Sequence, residues 1–369
     1  MNILFCTPQP ISHYLGISRV LIDIKDQLEE LGHNVDLIGP IELGMTNTNF
    51  ASNIFRREYT EKLKDYLIAN SKLYDVVDYD HEFLPFDRSL FNRKTLFVAR
   101  TVLLVQHTKF IKPKKPWSLR STIGSILRYR QFSIRLNDSW KTLVNADLIN
   151  VPNEHDKARL INMGIKADKV VVIPFGLSPE RLKHFEMLTA DTPKIKKICF
   201  LGTFDYRKGA SLFGQIFSDI RKSNPETRLL LLGCGGLFSN RDSILKFFKN
   251  EDHDHIETVF KFQREEIGLY LKDCSLGLYP SYMEGFPFGI LEMLLAYIPV
   301  VAFDAPGASM MLDKEDLVDV EDQLAMVNWI LKLLSDNDQL IEKRMKSHEK
   351  ALSFTWEFVA QKTIEAYRR

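Results

Sequence analysis

The chain has 369 residues, 45% hydrophobic and 26% charged, with a formal net charge of +1 at pH 7. That length and apolar content support a large buried core and favour two domains over one, and the near-zero charge gives no overall attraction for nucleic acid. No apolar run reaches the roughly eighteen residues that a membrane-spanning helix requires, so integral membrane insertion is not expected.

The N-terminus runs directly into the strand-like Asn2-Ile3-Leu4-Phe5-Cys6, without the charged and apolar regions of a secretory leader, which predicts a cytoplasmic protein. Cys6, Cys199, Cys234 and Cys274 lie far apart with no Cys-x-x-Cys pair, the pattern of reduced, buried thiols. After the first strand, Ile17, Val20, Leu21, Ile24, Leu28 and Leu31 recur at helical spacing, Gly32 is placed as a C-cap, and Val35 to Ile38 resumes as strand. Tyr74 to Val77, Val102 to Val105, Leu148 to Val151 and Val170 to Ile173 are the next expected strands.

The apolar rhythm weakens after Pro174, and the polar stretch Ser178 to Lys194 carries Pro179 and Pro193, which marks a boundary. A second series of strands is expected at Ile198 to Leu201, Leu229 to Leu232, Ser275 to Leu278 and Pro299 to Phe303. Short apolar runs alternating with helical segments predict an α/β protein of two doubly wound, Rossmann-like domains, 1–177 and 178–353. In such sheets ligands sit outside the carboxyl ends of the strands, so two domains side by side are expected to share a ligand in the cleft between them.

The residues that follow strands carry the chemistry. Gly202-Thr203-Phe204-Asp205-Tyr206-Arg207-Lys208-Gly209 precedes a helix bearing Leu212, Ile216, Phe217 and Ile220. Cations at a helix N-terminus, with glycines that let backbone approach, suit a diphosphate; a solvated basic helix start is the alternative. Beyond the strand Ser275 to Leu278, the run Pro280 to Glu292 holds two carboxylates eight residues apart, Glu284 in the loop and Glu292 along a helix expected to start near Gly285 to Pro287. That spacing does not make a close acid/base dyad, and suits carboxylates holding different parts of a long polar ligand, such as a donor sugar and a ribose. Glu292 lies among Ile290, Leu291, Met293, Leu294 and Leu295, where an acid requires a partner.

With these residues in place, the second half resembles the retaining glycosyltransferases of family 4, which have the two-domain GT-B fold and a Glu-x7-Glu motif within Pro-Ser-x-x-Glu-Gly-Phe-Pro. Further matching residues are Gly202 with Arg207-Lys208-Gly209, Leu229 to Gly235, Leu269-Tyr270 with Cys274-Ser275, and Pro299-Val300-Val301-Ala302 with Asp304 and Gly307. The first half agrees more loosely, through Leu15-Gly16-Ile17, Gly32-His33-Asn34-Val35 and Pro174-Phe175-Gly176-Leu177. Phe354-Thr355-Trp356-Glu357 is similar to the family's Phe-Ser-Trp-Glu, after which a final helix, about 354–369, returns to the first domain.

The resemblance implies transfer of a sugar from a nucleotide-diphosphate donor, UDP- or GDP-linked, to a glycan or lipid-linked acceptor, with retained configuration and no metal or other cofactor. Lys208 would neutralise the diphosphate, Glu292 bind the ribose, Glu284 contact the sugar, Gly16 offer a backbone amide, and His107 reach sugar or acceptor. Thr203, Arg207, Phe262, Gly285, Phe286, Pro287, Phe288 and Leu291 complete the implied donor site with Gly202. Thr203 stands where the family commonly has arginine, so a second cation on the phosphates comes from Arg207 or elsewhere, or is missing, and Lys261 stands where a glycine is usual.

Other readings stay open. Asp78-Tyr79-Asp80 and Asp252-His253-Asp254 have the form of a divalent-metal pair, but the first follows a strand of the first domain with no diphosphate elements nearby, the second sits with His255 in a polar loop, and no metal is expected. Gly233-Cys234-Gly235-Gly236 lacks the full nicotinamide fingerprint. A non-catalytic nucleotide-sugar binder and a sugar-nucleotide epimerase are the alternative functions. Finally, nine basic residues between Lys109 and Lys141 face one acid, Asp138, and interleave with Phe110, Trp117, Ile123, Leu127 and Phe132. That mixture suits peripheral contact with an anionic membrane or an acceptor site for anionic or lipid-linked glycans, against a helix packed by its apolar side.

Overall fold

The computed structural model describes residues 1–12, 16–47, 49, 52–109, 122–191, 193 and 196–369. They divide into two compact units. The first runs from Met1 to His107, through the following helix and strands to Gly176, and takes in Thr355–Arg369; the second contains Leu177–Phe354.

The first unit contains β1 (Asn2–Cys6), α1 (Gly16–Glu30), β2 (Asn34–Ile38), α2 (Asn53–Asn70), β3 (Val76–Asp80), β4 (Leu96–Arg100), α3 (Thr122–Asn145), β5 (Leu148–Val151), α4 (Glu154–Asn162) and β6 (Val170–Val172). Its strands pair in parallel in the order β2-β1-β3-β4-β5-β6. The order reverses at β1, which has β2 on one side and β3 on the other. Parallel strands covered on both faces read as continuous apolar runs, and β5 is buried along its whole length. Gly32 ends the turn after α1 at φ 82°, and the His33 N–H returns to the Leu28 carbonyl at 3.1 Å, closing the helix as a Schellman turn. Ser52 caps α2 by accepting from the Phe55 N–H at 3.1 Å, and that helix sends Phe55, Tyr59, Leu63 and Leu67, spaced by four, into the core.

The second unit contains α5 (Pro179–Lys183), β7 (Lys197–Leu201), α6 (Ala210–Ser223), β8 (Arg228–Leu232), α7 (Arg241–Leu245), β9 (Ile256–Val259), α8 (Ile267–Leu271), β10 (Leu276–Tyr279), α9 (Phe288–Leu295), β11 (Val300–Phe303), β12 (Leu317–Val318), α10 (Gln323–Ser335) and α11 (Asn337–Leu352). Its parallel sheet has the order β12-β11-β10-β7-β8-β9 and reverses between β10 and β8, on either side of β7. The chain then enters α12 (Trp356–Tyr367), which belongs to the first unit. There Trp356 packs on Phe175 with ring centroids 6.3 Å apart, and the Tyr367 hydroxyl donates to Asp78 Oδ2 at 2.5 Å. Arg100 of β4 clasps the same carboxylate, with Nε 3.0 Å from Oδ1 and Nη2 2.7 Å from Oδ2. A charge buried in a sheet needs such a partner.

Several expected elements are corrected. Val102 to Val105 is not a strand: residues 102–104 are irregular and Val105–Lys109 is a short 3-10 turn, while the strand of that region is β4. The uninterrupted apolar run resembled a buried strand more than Leu96-Phe-Val-Ala-Arg did, yet Arg100 is accommodated inside the sheet because Asp78 neutralises it. Tyr74 lies before β3, which continues instead through Asp78 to Asp80. β9 and β12 carry polar or very short sequences and were not anticipated; both are edge strands, where one side needs no partner. All four cysteines are free and buried, as expected.

Candidate functional site

In the second unit the loops that follow β7, β10 and β11 meet at the switch point of the sheet. After Leu201, Asp205 caps a 3-10 turn of Tyr206–Lys208 by accepting from the Lys208 N–H at 3.0 Å, and Gly209 turns the chain into α6 at φ 82°. A Cβ on Gly209 would stand 2.2 Å from the Pro280 carbonyl oxygen, so glycine is what lets the two loops touch. Backbone bonds fix their register: the Tyr282 N–H donates to the Arg207 carbonyl at 2.9 Å, and the Glu284 N–H to the Pro306 carbonyl at 2.9 Å.

These contacts gather Glu284, Lys208 and Arg207. Glu284 Oε1 accepts from Lys208 Nζ at 2.7 Å and from the Ser281 hydroxyl at 2.9 Å; Oε2 accepts from Arg207 Nη1 at 3.0 Å. Lys208 Nζ also donates to the Tyr279 hydroxyl at 3.0 Å, and Arg207 Nη1 to the Met283 carbonyl at 2.6 Å. Burial alone would raise the Glu284 carboxyl, but Lys208 and Arg207 outweigh it and bring it down to about 2. The same pairing overcomes burial to hold Lys208 and Arg207 above their ordinary ranges, and burial followed by the Glu284 charge pushes the Tyr279 phenol up to about 12. The cluster is therefore one fixed carboxylate shared by two fixed cations, with Asp205 Oδ2 a further 4.0 Å from Arg207 Nη2.

Glu292 is engaged separately. It projects from α9 to Arg181 of α5, whose Nε lies 2.8 Å from Oε1 and whose Nη2 bonds the same oxygen, while the guanidinium stacks 4.9 Å over the Phe288 ring. The partner that an acid among apolar residues demands is thus Arg181, which the sequence reading missed; its only local signal is the proline-led helix start at Pro179. Pro287 stands at the N-cap of α9, and Leu291 and Gly285 are buried nearby in sequence. Phe286 meets Phe288 and Phe354 edge-on at 5.1 and 5.8 Å. Gly202 follows β7, Thr203 is exposed with its hydroxyl 3.1 Å from Asp205, and Phe262 meets Tyr270 at 6.0 Å. Lys261 is exposed.

The remaining expected residues belong to the first unit. Gly16 is the first residue of α1, while Leu15 lies outside the described residues. His107 sits in the 3-10 turn rather than after a strand, and its Nε2 is 2.8 Å from Asp156 Oδ1. Asp156 is set at the start of α4 by Asn153, which accepts its N–H at 2.8 Å; burial raises the Asp156 carboxyl despite the pull of His107. Each Asp-x-Asp triplet has one acid bound to arginine, Asp78 by Arg100 and Asp252 by Arg221 at 2.5 Å. Of the basic segment, Lys112, Lys114, Lys115 and Arg120 lie outside the described residues, and Arg135 is bound to Glu82.

Residues 184–353 match the family described as Glycosyl transferases group 1. The chain is similar to D-inositol 3-phosphate glycosyltransferase of Corynebacterium kroppenstedtii, 25% identical over 178 residues that cover 46% of this chain and 40% of that protein. It spans less than half the length of the curated relatives it matches. In fold it is similar to sucrose-phosphate synthase from Thermosynechococcus elongatus, with a TM-score of 0.72 at 18% identity over 100% of this chain and 98% of that one. It is also similar to Anabaena HepE in complex with UDP and glucose, with a TM-score of 0.62 at 15% identity over 99% and 98% of the two chains. Residues 184–353 are thus similar to a glycosyl transferases group 1 domain, on a chain whose two parallel-sheet units have the fold of GT-B glycosyltransferases.

Proposed function

We propose that the protein is a glycosyltransferase that draws a sugar from a nucleotide-diphosphate donor held by the second unit. The observation that carries this reading is the Glu284 carboxylate bridging Lys208 at 2.7 Å and Arg207 at 3.0 Å at the switch point of a parallel sheet. Cleavage of the glycosidic bond to phosphate builds negative charge on the leaving diphosphate, and fixed cations aimed there lower the barrier. Lys208 and Arg207 are held in place before the donor arrives, so little reorganisation accompanies the reaction. Arg207 stands in for the arginine that Thr203 replaces, and Glu284 orients both cations while its free lone pairs meet sugar hydroxyls.

In this proposal Glu292 receives the ribose hydroxyls, Gly16 and His107 act from the first unit, the configuration is retained, and no divalent metal takes part. The acceptor is a glycan or lipid-linked glycan. The complex of Anabaena HepE with UDP and glucose supports a UDP-linked donor. Contact of the basic segment 109–141 with an anionic membrane surface is part of the same proposal; no described helix is long and apolar enough to cross a membrane. Liposome sedimentation indifferent to lipid charge would remove that part.

The test is a panel of UDP-, GDP-, ADP- and CDP-sugars with EDTA present, read by thermal shift and slow donor hydrolysis. One nucleotide class should stabilise the protein and turn over, releasing a sugar of unchanged anomeric configuration by NMR, and Lys208→Ala and Glu292→Ala should abolish the response. Binding without turnover would favour the non-catalytic alternative.

A further inference from the structure

Two polar groups of the first unit are buried against each other on the edge of the sheet where parallel strands hold ligands. β4 and β5 are neighbours, and the segments that leave their carboxyl ends carry His107 and Asp156, with His107 Nε2 2.8 Å from Asp156 Oδ1. Both partners are anchored in turn. The His107 N–H donates to the Leu104 carbonyl at 3.2 Å, and the neighbouring Gln106 Nε2 donates to the Ser139 hydroxyl of α3 at 2.9 Å. Asp156 is fully buried in the first turn of α4, where Asn153 accepts its N–H at 2.8 Å.

Tying down a turn does not call for a carboxylate. An amide or hydroxyl would hold His107 at a lower desolvation cost, and Asp156 Oδ2 is buried with no hydrogen-bond partner among the described residues. Burial pushes the carboxyl up, and the bonds from His107 and Asn153 pull it back toward the ionised form. An ionised carboxylate differs from an amide in that it only accepts. It therefore takes the N–H of Nε2, and a neutral ring is left with its lone pair on Nδ1. No described residue bonds Nδ1, which keeps access to solvent.

We propose that Asp156 is a positioning residue for His107: by accepting from Nε2 it fixes one tautomer and presents Nδ1 as a hydrogen-bond acceptor to a hydroxyl of the transferred sugar. The sugar as partner rests on the transferase reading; the tautomer does not.

The experiment reads the tautomer and the chemistry separately. The full chain, labelled with 15N at histidine, is examined by long-range proton–nitrogen NMR at about pH 8, above the ordinary histidine range, and the His107 signals are assigned by their loss in His107→Gln. The wild type should carry its ring proton on Nε2 alone, and Asp156→Asn, whose amide can also donate, should lose that single tautomer. Donor hydrolysis by Asp156→Asn should fall at least about tenfold, while UDP, bound through the second unit in this reading, still stabilises the variant. The double variant of His107→Gln and Asp156→Asn should be no slower than His107→Gln alone, because Asp156 acts through the ring. A ring proton on Nδ1 in the wild type overturns the proposal, as does wild-type hydrolysis by Asp156→Asn or a double variant whose losses add. Should Asp156→Asn fail to fold, the wild-type spectrum still decides. Absence of hydrolysis with any sugar nucleotide would instead sink the transferase reading and leave the tautomer to stand or fall on its spectrum.

Discussion

Arg181 Nε lies 2.8 Å from Glu292 Oε1, tying the five-residue α5 to α9 across 111 residues of chain. Both side chains are largely buried, and neither is free to act as a loose surface charge. Removing one member leaves the other desolvated without a partner, which costs more than the pair itself contributes. Arg181→Ala should lower stability by about 1–3 kcal/mol in urea unfolding. It should also weaken nucleotide binding if Glu292 receives the ribose, whereas Arg181→Lys should recover part of the stability and less of the binding, because lysine lacks the planar fork. Unchanged stability in Arg181→Ala would show that the ion pair does not hold the two helices.

Gly209 gives a prediction of another kind. Its φ of 82° and the 2.2 Å approach of the Pro280 carbonyl to a would-be Cβ both require glycine. Gly209→Ala should separate the loops that carry Lys208 and Glu284, costing at least about 1–3 kcal/mol from strain and clash together. Donor hydrolysis should fall further than the stability loss explains, while Gly44→Ala, also at positive φ but with no atom nearer than 3.8 Å, should cost stability alone.

Much of this was legible in the sequence because it depends on local rules. Runs such as Leu229 to Leu232 read as strands because consecutive apolar residues suit a strand buried on both faces, and the cations at 207 and 208 follow a strand and precede a helix as a phosphate site would. What was not legible is pairing at long range. Arg100 reads as a strand-ending charge until Asp78 is seen beside it, and Arg135 reads as a solvated base until Glu82 is found 53 residues earlier. Asp156 behind His107 is hidden the same way, because helix N-terminal acids are common and nothing nearby in sequence marks this one. A partner set by the fold leaves no periodic trace in the chain.

The Asp78, Arg100 and Tyr367 cluster tests how strongly the C-terminal helix is bound. All three groups are buried, and Tyr367 reaches Asp78 from 289 residues away in sequence. Tyr367→Phe removes the hydrogen bond donated to Asp78 and the longer one accepted from Arg100 Nη2 at 3.3 Å, and should cost about 1–3 kcal/mol. Asp78→Ala strands the Arg100 guanidinium inside the sheet and should cost more, about 3–5 kcal/mol, with Asp78→Asn between the two. Equal losses for all three variants in urea unfolding would indicate that the network acts only by packing.

Glu284 makes stability depend on pH with a definite sign. Its folded-state value of about 2 lies below the ordinary 4.5, so the folded chain binds the proton less readily than the unfolded one. The stabilisation is therefore fully present above about pH 4.5 and is lost as pH falls toward about 2. Glu284→Gln removes the titrating group and takes from Lys208 and Arg207 the carboxylate they share, leaving Arg207 with Asp205 at 4.0 Å. The variant should be less stable than the wild type by a few kcal/mol near neutrality, and the difference should shrink on acidification as the wild-type carboxyl protonates. Urea midpoints of the two proteins, compared at about pH 6.5 and about pH 3, measure this difference with other acids cancelling between them. A nucleoside diphosphate should narrow the neutral gap further, since its phosphates supply the two cations with the negative charge that the neutral amide of Glu284→Gln lacks; a gap unaffected by both acid and nucleotide would mean that Glu284 is not what holds Lys208 and Arg207 in place.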